Sequence, residues 1–122
     1  IGAEVAAELH ERADAALAAG VLRERIILDP GIGFAKAGEQ NWTLLRQLDE
    51  VRRLGFPVLI GTSRKRFLST ALGDDATQER KDLATAVTSA FAARRGLHAV
   101  RVHDVASTRD AIAVMEAWEG WG

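Results

Sequence analysis

The chain has 122 residues, 48% of them hydrophobic, which suits one domain with a substantial core. Its 16 basic and 17 acidic residues leave a net charge of −1, which argues against a nucleic-acid-binding surface. The absence of cysteine excludes disulfides and thiolate metal sites and favours a reducing, cytoplasmic setting.

The first half of the chain predicts helix, strand and helix. A helix over residues 3–19 has apolar side chains four residues apart, at Val5, Leu9, Ala13 and Leu17. Residues 25–29 are typical of a strand, and Pro30-Gly31 ends it. After a loop rich in Gly and Pro, a second helix is predicted over 41–54, with Asn41 as its N-cap. Its apolar face consists of Leu44, Leu45, Leu48 and Val51.

The second half repeats this alternation. Pro57 opens a strand that ends at Gly61-Thr62-Ser63, and a short helical turn is predicted over 64–72. A third helix covers 80–95, a third strand 98–102 and a last helix 107–118. The residues expected to face inward are Leu83, Ala86, Val87 and Ala90 in the third helix and Ala111, Ile112 and Met115 in the last, which Ser107 or Thr108 would cap.

The order α-β-α-β-α-β-α predicts an α/β fold with a parallel sheet and right-handed crossovers. Three strands are too few to close a barrel or to bury both faces of a parallel sheet. We therefore interpret residues 1–122 as a single segment of a larger fold, cut from a longer protein ahead of Ile1. The missing strands would come from an absent N-terminal part or from another copy.

Three apolar runs end in charged groups, within 26–34, 57–67 and 97–105. In such folds ligand sites lie at the carboxyl ends of strands. Asp29 follows three aliphatic residues, so its carboxylate is predicted at the rim of an apolar pocket. There it could accept paired hydrogen bonds from the N–H groups of an amino-heterocycle. The alternative is that it only caps the Asp-Pro-Gly turn.

The loop after this strand offers less specific signals. Gly31 and Gly33 permit a tight backbone path near a ligand but do not form the dinucleotide-binding fingerprint. Phe34 could stack on a flat ligand or simply plug the loop. Lys36 is interpreted as a solvated loop charge.

The second strand end carries Gly61-Thr62-Ser63-Arg64-Lys65. Ser63 could cap the following turn or offer its hydroxyl to a substrate. Lys65 is a point charge that could reach back over the strand end, and Arg66 is expected to face solvent. A Ser-x-Lys nucleophile pair is disfavoured, because nothing nearby supplies an oxyanion hole.

At the third strand end, Arg101 and His103 alternate and should point to one side. With the N-terminus of the next helix they would form a cradle for phosphate or pyrophosphate. The alternative is that Arg101 pairs with a carboxylate in the missing half. One His beside one Asp falls short of a metal-ligand set, and His10, His98 and the three tryptophans are interpreted as structural.

The motifs IILDPGIGFAK, LIGTSRKRFL and VRVHDV together resemble the last three strand ends of the dihydropteroate synthase family, which are TIM barrels. The resemblance covers nearly the whole chain, in the family's order. It implies the condensation of 4-aminobenzoate with 6-hydroxymethyl-7,8-dihydropterin pyrophosphate to 7,8-dihydropteroate, with release of pyrophosphate. It therefore implies that the chain is the C-terminal part of a (β/α)₈ barrel.

The resemblance also assigns roles to residues. It implies that Asp29, Gly61, Lys65 and Arg101 bind the pterin, and that Phe34, Ser63 and Lys65 contact the aminobenzoate. Arg101 and His103 would hold the pyrophosphate. The residues expected to contribute to catalysis are Lys65, Arg101 and His103.

Part of the family pattern falls outside this chain. The family's early Asn for Mg²⁺, its mobile loops and further pterin-binding residues would lie in an N-terminal part, so no metal ligand is expected here. We expect a homodimeric whole protein and no turnover by residues 1–122 alone.

Two other interpretations compete. One is the pterin-binding domain of a cobalamin-dependent methyltransferase, which Arg101 and His103 disfavour because that reaction expels no pyrophosphate. The other is a non-catalytic half-barrel, a truncation product or assembly module.

Overall fold

The computed structural model describes residues 1–34 and 37–121. Within them, helices alternate with short parallel strands. The helices are α1 Gly2–Ala18, α2 Gly38–Arg46, α3 Leu48–Arg52, α4 Ser69–Leu72, α5 Gln78–Arg94 and α6 Val105–Glu119. The strands are β1 Leu59–Ile60 and β2 Ala99–Val100, and 3₁₀ turns cover Arg23–Arg25 and Arg66–Leu68.

The sheet is parallel, as predicted, but smaller. Leu59 lies opposite Ala99 and Ile60 opposite Val100. The predicted first strand is wrong: Arg25 belongs to a 3₁₀ turn, and only Leu28 pairs, in a single bridge to Val58. The spatial order is therefore the Leu28 segment, β1 and β2, in an α/β arrangement.

The core lies between this small sheet and the helices. Ile32, Leu44, Ile60 and Leu68 are fully buried within it, and the predicted apolar stripes of α1 and of α2–α3 pack against it. Burying one such side chain contributes about 1.5–3 kcal/mol. The stripes therefore fix how these helices lie on the sheet.

The predicted second helix is interrupted, and its predicted cap is wrong. Gln47 separates α2 from α3, and its side-chain oxygen accepts the Gly2 N–H at 2.7 Å, so the break holds the start of α1. Ala37 is the N-cap of α2, while Asn41 lies inside the helix and is 1% exposed.

Helix α5 turns a different face to the sheet than predicted. Ala86 is buried as expected, but Leu83 and Val87 are 65% and 47% exposed. Thr85 and Ser89 are buried in their place. The Thr85 hydroxyl donates to the Lys81 carbonyl within the helix, so its burial leaves no unpaired donor.

The cap of the last helix is also corrected. Asp104, not Ser107 or Thr108, is the N-cap of α6, and its carboxylate accepts both the N–H and the hydroxyl of Ser107. None of the helices among the described residues combines the length and apolarity needed to cross a bilayer.

Candidate functional site

The parallel register brings three strand ends to one edge of the sheet. Asp29 follows the bridge residue Leu28, Gly61 follows β1, and Arg101 follows β2. Because all three strands run in the same direction, their carboxyl ends meet there. The residues predicted from the three apolar runs are thus neighbours in space.

Asp29 and Arg101 form an ion pair across this edge. Arg101 Nη1 lies 3.4 Å from Asp29 Oδ2, and Asp29 Oδ1 accepts the Gly31 N–H at 2.8 Å. Asp29 therefore caps its turn, as the alternative interpretation expected, and also faces the strand-end edge, while its binding of a heterocycle stays a prediction. The two side chains are 38% and 55% exposed, so the pair is open to a ligand.

The pair corrects the alternative interpretation of Arg101. Its carboxylate partner lies within this chain rather than in a missing part. The separation of 72 residues between the partners hid this from the sequence.

Gly61 allows the guanidinium its position. A Cβ at Gly61 would lie 2.7 Å from Arg101 Nη2 and 3.1 Å from Cζ, inside contact distance. The absence of a side chain lets Arg101 lie flat against the end of β1. Gly61 therefore shapes the site without offering a polar group of its own.

Ser63 and His103 form a second link between strand ends. Ser63 Oγ lies 2.6 Å from His103 Nδ1 and accepts the His103 backbone N–H at 3.0 Å. In the neutral tautomer that leaves Nδ1 without a proton, the hydroxyl can donate its hydrogen to Nδ1 while accepting the backbone N–H. The neutral ring then carries its proton on Nε2, where it could donate to an anion.

Lys65 reaches back over the first loop, as predicted. Its ammonium donates to the Ile32 carbonyl and lies 4.5 Å from the centroid of the Phe34 ring. Gly33 has φ +86°, and a Cβ there would lie 2.5 Å from the Lys65 side chain. Glycine thus satisfies both the backbone angle and the close approach.

Asn41 supports the same loop and was not predicted to do so. Its side-chain oxygen accepts the Gly33 N–H at 2.7 Å, and its amide donates to the Ala37 carbonyl at 3.1 Å. The sequence offers one signal for this role: Asn41 is an amide residue in a helix that follows a loop rich in glycine. The predicted role of Asn41 as the N-cap is wrong.

Not every predicted group contributes to this cluster. Arg66 is exposed, as expected, and Lys36 lies outside the described residues. Asp104 accepts the Ser107 N–H at the start of α6, the helix N-terminus that was predicted to form part of the anion cradle. Hydrogen bonds from the Ser107 hydroxyl and then from its backbone lower the pKa of Asp104.

Comparison with known proteins identifies the family. The family model described as pterin binding enzyme matches residues 1–103. The chain belongs to this family of pterin-binding enzymes. Its resemblance to dihydropteroate synthases is confirmed by a relative from Mycobacterium leprae, named dihydropteroate synthase, which is 48% identical over 120 residues. That match covers 95% of this chain and 42% of the relative.

Solved structures agree with this assignment to the pterin-binding enzymes. Dihydropteroate synthase from Xanthomonas albilineans with 4-aminobenzoic acid superposes with a TM-score of 0.91, 41% identity and coverage of 97% of this chain and 43% of that one. The same enzyme with 7,8-dihydropteroate gives a TM-score of 0.91, 41% identity and coverage of 97% and 45%. The chain thus spans less than half the length of each of these three relatives.

Proposed function

We propose that the whole protein, a chain of the relatives' length containing residues 1–122, is a cytoplasmic dihydropteroate synthase. It would join 4-aminobenzoate to 6-hydroxymethyl-7,8-dihydropterin pyrophosphate. The observation that carries this proposal is the meeting of Asp29, Gly61 and Arg101 at one sheet edge. A carboxylate acceptor and a guanidinium at one edge suit a ligand that combines an amino-heterocycle with an anion.

In the proposed complex, Asp29 accepts hydrogen bonds from the amino and ring N–H groups of the pterin. Arg101 turns from Asp29 toward the pterin face and the pyrophosphate. More than half of its side chain is exposed, so little packing opposes this movement. His103 donates from Nε2 to the pyrophosphate, since Ser63 occupies Nδ1.

The chemistry requires stabilisation of a leaving anion. The bond between the pterin methylene carbon and the pyrophosphate oxygen breaks, and its electron pair leaves with the pyrophosphate. The aminobenzoate nitrogen then donates its lone pair to the methylene cation and loses a proton to solvent. Arg101 provides positive charge, and His103 a hydrogen-bond donor, where the negative charge develops on the pyrophosphate.

Phe34 and Lys65 form the aminobenzoate side of the proposed site. The Phe34 ring is 59% exposed and lies beside the Lys65 ammonium. An aromatic carboxylate suits such a pair, because the ring can stack and the ammonium can attract the carboxylate. Ser63 stays a predicted contact, although its hydroxyl already holds His103.

The fold, assembly and metal expectations belong to the same proposal. The parallel strand order supports the C-terminal part of a (β/α)₈ barrel, and the exposed apolar side chains Phe91, Val114 and Trp118 support a homodimer. The expected Mg²⁺ would be held outside residues 1–122. Among the described residues no three His, Asp or Glu side chains group as metal ligands, and no step here runs through the ion.

Pyrophosphate release tests the proposed function. Whole protein should release pyrophosphate and form 7,8-dihydropteroate only when both substrates are present. A cobalamin-dependent methyltransferase would instead transfer a methyl group from a methylated pterin without releasing pyrophosphate. A non-catalytic module would do neither, and either result would overturn the proposal.

A further inference from the structure

Arg64 has an unusual backbone conformation between two residues of the candidate site. Its φ of +59° is the only positive value at a non-glycine residue among residues 1–34 and 37–121. The left-handed region is unfavourable for a residue with a Cβ, so surrounding contacts must hold it. Ser63 and Lys65 take their directions from this turn.

Asp82, on helix α5, holds the Arg64 side chain. Arg64 Nε donates to Asp82 Oδ1 at 3.0 Å, and Nη2 donates to Oδ2 at 3.2 Å. This two-point contact fixes the plane of the guanidinium as well as its position. The Asp82 side chain is only 14% exposed, so water competes poorly for the carboxylate. Its hydrogen bond is also the main cause of the raised pKa of Arg64.

Helix α5 holds the same turn at a second point. Thr62 Oγ1 and Thr88 Oγ1 lie 2.8 Å apart, on the other side of Ser63. The turn closes on itself through the Lys65 N–H, which donates to the Thr62 carbonyl at 3.2 Å. Both flanks of Ser63 are therefore tied to one rigid helix.

We propose that Asp82 is a positioning residue for the candidate site. By holding Arg64 in its left-handed conformation, it aims Ser63 at His103 and Lys65 at the loop of Ile32 and Phe34. Asp82 touches neither substrate. The kinetic part of this inference rests on the proposed synthase activity, and the structural part does not.

The kinetic test uses Asp82→Asn in the whole protein. The variant keeps the size of the side chain and loses the charged two-point contact. We expect KM for 4-aminobenzoate to rise about tenfold, because the variant loses one charge-assisted contact. KM for the pterin pyrophosphate should rise less, by about threefold, because Asp29 and Arg101 are not tied to this turn and only His103 is oriented through Ser63.

Three further variants separate positioning from general stability. Arg64→Gly accepts the positive φ without strain but removes the contact, so it should reproduce the higher aminobenzoate KM. Adding Asp82→Asn to Arg64→Gly should then change KM little further. Asp49→Asn is the matched control, since it breaks another Asp–Arg contact of 3.2 Å, on α3. It should leave both KM values unchanged.

Hydrogen exchange gives a test that needs no turnover. The amides of Lys65 and His103 donate to the Thr62 carbonyl and to Ser63 Oγ, so they report the turn directly. We expect both to exchange about tenfold faster in Asp82→Asn and Arg64→Gly, and unchanged in Asp49→Asn. Faster exchange in a protein without synthase activity would reject the proposed function and support the positioning role. Unchanged exchange with unchanged KM values, or a fall in kcat alone, would overturn the positioning role.

Discussion

Gly61 has no side chain, and this leaves room for the Arg101 guanidinium at the end of β1. Its φ lies outside the left-handed region, so Gly61→Ala would place no strain on the backbone. The new methyl group would instead displace the tip of Arg101, a flexible side chain that can move. We expect the Kd for pyrophosphate to rise about tenfold, with the melting temperature changed by less than about 3 °C. Calorimetric titration and thermal unfolding of the whole protein would measure both.

A double-mutant cycle tests whether Gly61→Ala weakens pyrophosphate binding by displacing Arg101. Arg101→Ala alone should weaken pyrophosphate binding by on the order of 2–3 kcal/mol, because a charged contact is lost. Adding Gly61→Ala to that variant should cost little more. A full additional loss would show that the methyl group acts on something other than Arg101.

Asn41 gives a stability prediction at the same scale. Asn41→Ala removes a buried acceptor and donor, so we expect the free energy of unfolding to fall by about 2 kcal/mol. Gln40→Ala is the control, since that side chain also bonds to the loop backbone, at Ala37, but in an exposed position. In denaturant titration, Gln40→Ala should lower the free energy of unfolding by less than about 1 kcal/mol. If both variants lost the same free energy of unfolding, burial would not explain the importance of Asn41.

At the scale of elements, local sequence predicted helices better than strands. Apolar residues at helical spacing placed α1 and the buried face of α2–α3 correctly, although Gln47 interrupts the second helix. Helices are easier to predict because a helix satisfies its own backbone hydrogen bonds. A strand depends on its neighbours, and the run Ile26-Ile27-Leu28 finds only one bridge among the described residues. For α5, apolar residues on more than one side left the inward face undetermined. In the structure, Thr85 and Ser89 face inward, and Leu83 and Val87, which were predicted to do so, are exposed.

The cap of α6 yields a pH prediction. Since the folded state lowers the pKa of Asp104, its charge adds stability above the ordinary aspartate pKa of about 4. That contribution is lost as the pH falls through the lowered folded value. Asp104→Asn can still cap the helix but carries no charge. The whole protein should therefore exceed this variant in stability at pH 7, and the difference should shrink as the pH falls below about 4.

Denaturant titrations from pH 7 to pH 3 would follow this difference. Ser107→Ala removes the hydroxyl whose hydrogen bond is the largest single cause of the lowered pKa, so it should reduce the stability difference at pH 7. If the stability difference between the whole protein and Asp104→Asn grew as the pH fell, the charged Asp104 carboxylate would not be the stabilising cap.

At the scale of the whole molecule, the sequence predicted where the site forms but not its internal contacts. The rule that parallel strands share one carboxyl edge brought Asp29, Ser63 and Arg101 together correctly. The partner choices Asp29–Arg101 and Ser63–His103 depend on distances across 72 and 40 residues of chain. Local patterns carry no information on such distances.

Ile27 shows what the rest of the proposed barrel would add. Ile26 and Leu28 are buried toward the helices, whereas Ile27 is 51% exposed, as the alternation of a strand requires. In the proposed barrel its side chain would point into the interior and pack against strands outside residues 1–122. In the segment alone, the same side chain would meet water.

Ile27→Lys should therefore have opposite effects in the two contexts. In the whole protein it would bury a charge and lower the free energy of unfolding by about 3 kcal/mol or more. In residues 1–122 alone it would break an exposed apolar surface and reduce self-association. Denaturant titration of the first and sedimentation of the second would measure the two effects. If the whole protein kept its full stability with the Ile27→Lys substitution, this face would be open to water, and the proposed barrel would then be wrong.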